Sequence, residues 1–251
     1  SVVSACLTDS QESDCRYLIA VPEYQNQPLD SVSGKCGWGG GALPQSAAGC
    51  SILKDAKLFL GLGASLHGAG ISAWGVKRKE NYTRPLRAIR ELSRLGLLTD
   101  EDPKTPGSQF RAFNRATGQI DLISGIDFET YQSPSRGYSP PFAEYTSGHS
   151  TFSSSAAAFL SRFSGQDEFP WNIKMNIVFP FPNGEGKKVR LKYDDLNAAS
   201  EAAGTSRLYG GIHFEDANSN GLAAGDEIGT MVFDKLTSFW QQPQQGRPHA
   251  G

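Results

Sequence analysis

Hydrophobic spacing along the chain changes character near residue 51. Over residues 51–80, Ala, Leu and Lys dominate, and Leu58, Leu62, Leu66 and Ala69 recur at the spacing of one helix face, which predicts a largely buried helix. Gly61, Gly63, Gly68 and Gly70 lower helix propensity there and predict the close approach of a neighbouring backbone. Pro85 suits the first turn of a second helix, whose apolar face is Leu86, Ile89, Leu92 and Leu95. Residues 100–142 are rich in Asp, Pro, Gly and Ser without a sustained period, so a long loop region is expected. A Ser-Gly turn opens a helix over 147–163. Short β-like runs at 176–179 and 188–192 flank Pro182-Asn183-Gly184, which predicts a small hairpin. Two more helices are expected near 193–206 and 219–240, the second burying Leu222, Ile228, Met231, Val232, Leu236 and Phe239. The expected class is mainly α: a bundle of about five or six helices with one small β hairpin and long loops.

Composition narrows the partners. The 251 residues are enough for one large domain or two small ones, and 38% hydrophobic residues can build a core, which argues against disorder. The formal net charge is -2 and neither half is strongly basic, so nucleic acid is not the expected partner. The longest mainly apolar stretch, Leu58 to Trp74, is interrupted by Ser65, His67 and Ser72, and no membrane span is expected. Cys6, Cys15, Cys36 and Cys50 all fall in the first fifth of the chain. Their even number suggests two disulfides, and with them a secreted protein or another oxidising compartment. Metal binding competes as a reading, against the absence of any Cys-x-x-Cys pair and of histidine among them. The chain starts at Ser1 without a signal pattern and is expected to be processed or part of a longer precursor. Three parts follow: a disulfide-tied segment over 1–50, a helical catalytic domain over 51–240, and an extended polar tail over 241–251.

Three separate segments carry groups suited to gripping a tetrahedral oxyanion. They are Lys77 followed after six residues by Arg84-Pro85, then Ser147-Gly148-His149, then Ser206-Arg207 followed after five residues by His213. One lysine and two arginines supply charge and fork-shaped donors. The helix start at Ser147 offers free amides and the positive end of the helix dipole, with Gly148 allowing close approach. His149 and His213 can each serve as nucleophile, ligand or proton shuttle. Each segment alone says little: a lysine and an arginine at helical spacing usually form a solvated face, and a histidine after two glycines is an ordinary turn residue.

In this order and spacing the segments resemble the signature shared by vanadium-dependent haloperoxidases and the type 2 phosphatidic-acid phosphatase superfamily: Lys-x6-Arg-Pro, Pro-Ser-Gly-His and Ser-Arg-x5-His. The resemblance spans about residues 55–240. The runs from Pro140 to Phe152 and from Leu208 to Phe214, with Trp74 three residues before Lys77, resemble the haloperoxidase branch. Thr146 stands in place of the usual proline, a change expected to be tolerated. Ala217 stands where an aspartate commonly follows the last histidine by four residues, with Asp216 as a candidate substitute that would orient His213. Gly68 lies where related peroxidases often carry an acidic residue, and its neighbour His67 reads as a packed helix histidine.

The resemblance implies a helical bundle of the haloperoxidase/acid phosphatase type and vanadate as cofactor. His213 would make the one covalent bond to vanadium, while Lys77, Arg84, Ser147, the Gly148 amide and Arg207 hold the oxygens. His149 would be the acid/base group acting on hydrogen peroxide, and Lys77 would polarise the bound peroxide. Halide would leave as hypohalous acid and reach a small organic acceptor. Trp74 and Phe142 resemble the halide pocket of chloride-competent members, with Phe142 standing where bromide-restricted algal enzymes have histidine; packing of the loop is the alternative role for Phe142. Members are usually longer and pack two helical bundles, so an oligomer or a second chain is expected to supply the missing helices. The alternatives are a phosphatase using His213 as nucleophile and His149 as general acid, and a structural homologue without turnover. The sequon Asn81-Tyr82-Thr83 lies between Lys77 and Arg84 and is expected to stay unmodified, because a glycan would meet the pocket wall.

Overall fold

In helix α1 (Ile52–Glu80) the buried line is made of small residues rather than leucines. Leu58, Gly61, Ser65, Ala69, Ala73 and Lys77 follow at three- and four-residue steps and are all buried, whereas Leu62 and Leu66 are only half-buried. This computed structural model describes residues 52–100, 102, 104–114, 117–132, 139–167, 173–177 and 187–241. The segment 1–50 with its four cysteines, the Pro182-Asn183-Gly184 turn and the tail beyond 241 lie outside the described residues.

The small line on α1 exists because α3 (Gly148–Ser164) and α5 (Glu215–Trp240) press against it. A Cβ on Gly61 would lie 2.0 Å from the Phe159 ring of α3, and one on Gly68 would lie 3.2 Å from Ile228 of α5. Tight packing thus accounts for Gly61, Gly68 and Gly70, but Gly63 meets nothing within 4 Å. The closest seam joins α3 to α5. Gly221, Gly225 and Gly229 recur every fourth residue, and a Cβ on each would lie 2.8, 2.4 and 2.3 Å from the carbonyls of Ser147, Thr151 and Ser155. Backbone-to-backbone packing of this kind excludes large side chains from the seam. The expected stripe on α5 is displaced accordingly. Ile228 is buried, Leu222, Val232 and Leu236 are half-buried flankers, and Met231 and Phe239 are 62% and 51% exposed.

Helix α2 (Pro85–Leu95) begins with proline in its first turn and stops at Gly96, whose φ of 71 is cheap only for a residue without Cβ. Of its expected apolar face, Leu86 and Ile89 are half-buried while Leu92 and Leu95 are exposed. Helix α4 (Leu196–Tyr209) is capped by Asp195, which accepts from Ala198 N at 2.6 Å. Five α-helices are present among the described residues, with α3 packed on α1, α4 and α5. None is long and apolar enough to cross a membrane.

The region 100–142 is not all loop. Strands β1 (Gln109–Asn114) and β2 (Gln119–Ser124) pair antiparallel and run into a short 3-10 turn, Gly125–Asp127. Aromatic contacts between distant positions hold this hairpin, Phe110 to Phe128 at 5.8 Å and Phe113 to Tyr131 at 6.0 Å, which is why no local period announced it. The expected hairpin forms from β3 (Ile173–Ile177) and β4 (Lys187–Leu191), in register Ile173 to Leu191. Asn81, Tyr82 and Thr83 are exposed, so among the described residues no pocket wall covers Asn81, contrary to the reason given for leaving it unmodified.

Candidate active site

The buried line of α1 ends on a charge. Lys77 is 3% exposed because it occupies the next inward position after Ala69 and Ala73. Its ammonium donates to the carbonyls of Ala143 and Glu144, each at 2.9 Å. Arg84, the buried residue before α2, grips the same segment from the other side, with Nε donating to Phe142 O at 2.9 Å and Nη2 to Ala143 O at 3.2 Å. Its Nη1 donates to Ile212 O at 3.0 Å and lies 3.1 Å from His213 Nε2. The two cations thereby bring segment 142–144 and the turn before α5 together.

Ser147 caps α3, its hydroxyl oxygen accepting from Ser150 N at 3.3 Å. Ser150 Oγ lies 2.8 Å from Ser147 Oγ and donates to Asn218 Oδ1 of α5 at 2.7 Å. Ser147 N and the Thr146 hydroxyl both donate to Ala217 O, at 3.0 and 2.9 Å, so Thr146 ties this turn to α5 in the place of a proline. Gly148 opens α3, and a Cβ there would stand 3.0 Å from the Trp74 ring. Its amide heads the helix, where an anion meets unpaired N–H groups and the positive dipole end. His149 follows in the first turn, with Nε2 3.3 Å from Arg207 Nη1. Arg207 also donates to Ser206 Oγ at 3.0 Å and Gln132 Oε1 at 3.3 Å.

His213 is buried, with Nδ1 2.6 Å from Glu144 Oε1, an oxygen that also accepts from Phe214 N at 2.9 Å. Glu144 was not among the residues singled out from sequence. It lies 69 positions from His213, and no spacing rule joins the two. The expected orienting carboxylate, Asp216, instead accepts from Ala217 N at 2.9 Å in the first turn of α5. His67, read as a packed histidine, is exposed, and Gly68 faces Ile228 rather than this cluster.

An aromatic wall flanks the cations. Trp74 lies 5.7 Å from Phe142 and 6.0 Å from Phe152, and Phe152 is a second residue that sequence reasoning had not assigned to the site. Lys77 Nζ is 5.8 and 5.5 Å from the Trp74 and Phe142 ring centres, and Arg84 is 4.9 Å from that of Phe142.

Burial and mutual repulsion set the protonation states. Burial, then the charge of Arg84, pulls the Lys77 ammonium down to about 7 against the pull of Glu144. Burial lowers Arg84 to about 10 and also lowers Arg207. His213 falls to about 2, through burial first and then the charges of Arg84, Lys77 and Arg207, so its ring is neutral. Burial raises Glu144, opposed by the Phe214 amide and by Arg84 and Lys77. Two arginines and a lysine whose charge burial weakens therefore converge with one carboxylate on a neutral imidazole, a basic cluster in a poorly solvated place.

That donor set suits an oxyanion. Among the described residues no three His, Cys, Asp or Glu side chains gather as a bare metal ion would require. Lys77, Arg84 and Arg207 are cationic donors, Ser147 and the start of α3 add hydroxyl and amide donors, and His213 adds a ring nitrogen, a combination that fits an oxyanion. A surface groove lined by Arg162, Asp226, Thr230 and Lys235 lies farther along α3 and α5, with Arg162 roughly 20 Å along the helix from Gly148.

Residues 57–242 match the family described as the VCPO second helical-bundle domain. The fold is similar to that of an apo-type bacterial vanadium-dependent chloroperoxidase, with TM-score 0.55 and 20% identity over 69% of this chain and 35% of that one. A holo-type bacterial vanadium-dependent chloroperoxidase is similar with TM-score 0.54 and 16% identity over 77% of this chain and 46% of that one. At such identities the likeness is one of fold. The chain spans 35% to 46% of the length of these two proteins. The search among curated proteins finds no match.

Proposed function

We propose, for a chain that belongs to the VCPO second helical-bundle domain family, that it binds vanadate and uses hydrogen peroxide to oxidise halide to hypohalous acid. The observation that carries this reading is the His213 ring. It is neutral and buried, backed by Glu144 on Nδ1, and turns Nε2 toward Arg84 where the charges of Lys77 and Arg207 also act. A neutral ring nitrogen beside two arginines and a lysine is what a metal oxyanion needs for one protein bond and neutralised oxygens.

In this reading His213 Nε2 is the protein ligand. Lys77, Arg84 and Arg207 neutralise the anion, while Ser147 and the Gly148 amide donate to it from the start of α3. Bound vanadate supplies a Lewis-acid centre that activates peroxide without a change in metal oxidation state. His149 would accept the proton that peroxide gives up at Nε2, the nitrogen that Arg207 faces and keeps unprotonated. Lys77, weakened as a cation by burial, would be held protonated by the charge of a bound anion and would keep that charge beside the reacting oxygens. Trp74, Phe142 and Phe152 form the apolar wall where halide approaches, stripped of part of its water. Bromide and iodide are the halides proposed, with chloride added by the same wall.

The exposed apolar side of α1 and α2, including Phe59, Leu60, Ile71, Leu92 and Leu95, is proposed to be covered by a second chain or further helices. Light scattering of the 251-residue chain tests this, and a monodisperse monomer that binds no hydrophobic dye argues against it. The proposal also includes an oxidising compartment, as the cysteine placement suggests.

The deciding experiment incubates the chain with orthovanadate and follows halide-dependent peroxide consumption beside phosphomonoester hydrolysis. Halide oxidation that needs vanadate is the expected result. Hydrolysis of the ester, suppressed by vanadate and without any halide oxidation, would transfer the site to the phosphatase reading.

A further inference from the structure

Glu144 sits where three segments of the site cross, and its side chain is fully buried. Its amide donates to Tyr82 O at 3.0 Å, and its carbonyl accepts from Lys77 Nζ at 2.9 Å. Its Oε1 accepts from Phe214 N at 2.9 Å and lies 2.6 Å from His213 Nδ1. The other face of that ring settles which nitrogen carries the proton. Arg84 Nη1 lies 3.1 Å from His213 Nε2, and a guanidinium only donates. Nε2 is therefore the acceptor, the ring proton rests on Nδ1, and Glu144 receives it.

The second carboxylate oxygen, Oε2, is buried with no hydrogen-bond partner among the described residues. A side chain needed only for packing or for accepting two N–H groups would not require that oxygen or its charge, and such an atom calls for an explanation. Asp216 does not do this work, since its carboxylate holds the start of α5. Ala217, where resembling chains commonly carry aspartate, has no group to offer.

We propose that Glu144 is the positioning residue of the anion ligand: it holds the His213 proton on Nδ1 and keeps the Nε2 lone pair directed at Arg84, while its charge strengthens that nitrogen as a donor. The claim rests on the vanadate reading of the site, with Glu144 acting only through His213. Because the carboxylate comes from the segment that Lys77 and Arg84 clamp, the cations and the ligand are aligned by one short stretch of chain.

The test has two arms. Nitrogen-15 NMR of the full chain with labelled histidine, in the absence of vanadate, is expected to find the His213 proton on Nδ1 and none on Nε2. A proton on Nε2 overturns the proposal. In the second arm, Glu144→Gln keeps the size and the accepting oxygen but removes the charge. Its melting temperature is expected to stay within about 4 °C of the parent, while its orthovanadate dissociation constant, from equilibrium dialysis with elemental analysis, rises about 10- to 100-fold. Unchanged vanadate affinity overturns the proposal. If the variant does not fold, the ring measurement on the parent chain decides. A parent chain without vanadate affinity overturns the proposed function instead, and the proton position still judges the Glu144–His213 pair on its own.

Discussion

His213 and His149 each face an arginine through Nε2, at 3.1 Å from Arg84 and 3.3 Å from Arg207, yet the two halves of the site are built differently. His213 lies in the turn between α4 and α5, sealed from water, and Glu144 takes its second nitrogen. His149 lies in the first turn of α3 and is half-buried, and its arginine extends to Gln132, which is exposed. The contrast fits the roles proposed for the two histidines. A ligand atom needs one tautomer and one direction, which buried partners impose. A proton carrier needs an exchange route, which a half-open position keeps.

The largest expected effect separates the halves outright. His213→Ala should lose vanadium completely in elemental analysis, whereas His149→Ala should keep it and lose halide oxidation by about 10²- to 10⁴-fold. Equal loss of vanadium from both variants would dissolve the distinction between ligand and proton carrier.

Gly225→Ala should instead damage both halves together, because its Cβ would stand 2.4 Å from Thr151 O and push α5 from the helix that starts at Gly148. Overpacking of this kind costs about 1–3 kcal/mol, measurable as a lower urea midpoint. A midpoint equal to the parent's would mean the seam opens without cost.

The buried half should also leave a mark on stability against pH. Lys77 has a folded value of about 7, below its ordinary 10.5. Between those values the unfolded chain holds a proton that the folded chain has released, so stability rises with pH across the window and is lost toward pH 7. For the vanadate-free protein, the parent should therefore gain thermal stability relative to Lys77→Met as pH climbs from 7 to 10. Parallel curves for the two proteins would show that the ammonium is solvated.

The smallest effect belongs to the open half. Gln132→Ala removes one neutral partner of Arg207 at an exposed position, and about a threefold change in turnover with unaltered vanadate affinity is expected. A large loss of affinity would place Gln132 inside the anion grip rather than at its rim.

Much of the site is legible in the amino-acid sequence, because its residues sit at places that local chain geometry defines. Ser147-Gly148 reads as a helix start, Arg84-Pro85 as another, and each fulfils that role in the fold. Lys77 sits on the inward line of a regular helix, where three- and four-residue steps decide direction. The mainly helical class and the β3–β4 hairpin follow from the same short-range rules.

Other features arise only from contact between distant segments. Periodicity reveals an apolar face but not how near the neighbouring backbone comes, so the glycine seam of α5 displaces the expected leucine stripe. The β1–β2 hairpin depends on Phe128 and Tyr131, which lie beyond its strands. Phe152 joins the aromatic wall because α1 and α3 cross beside Trp74. Glu144 meets His213 across 69 positions, although Asp216 is the nearer carboxylate in sequence. Local order is written in the chain because few dihedral angles separate the interacting groups. The choice of carboxylate is left to packing, since burial in a shared interior, and not distance along the chain, determines which group can reach the ring.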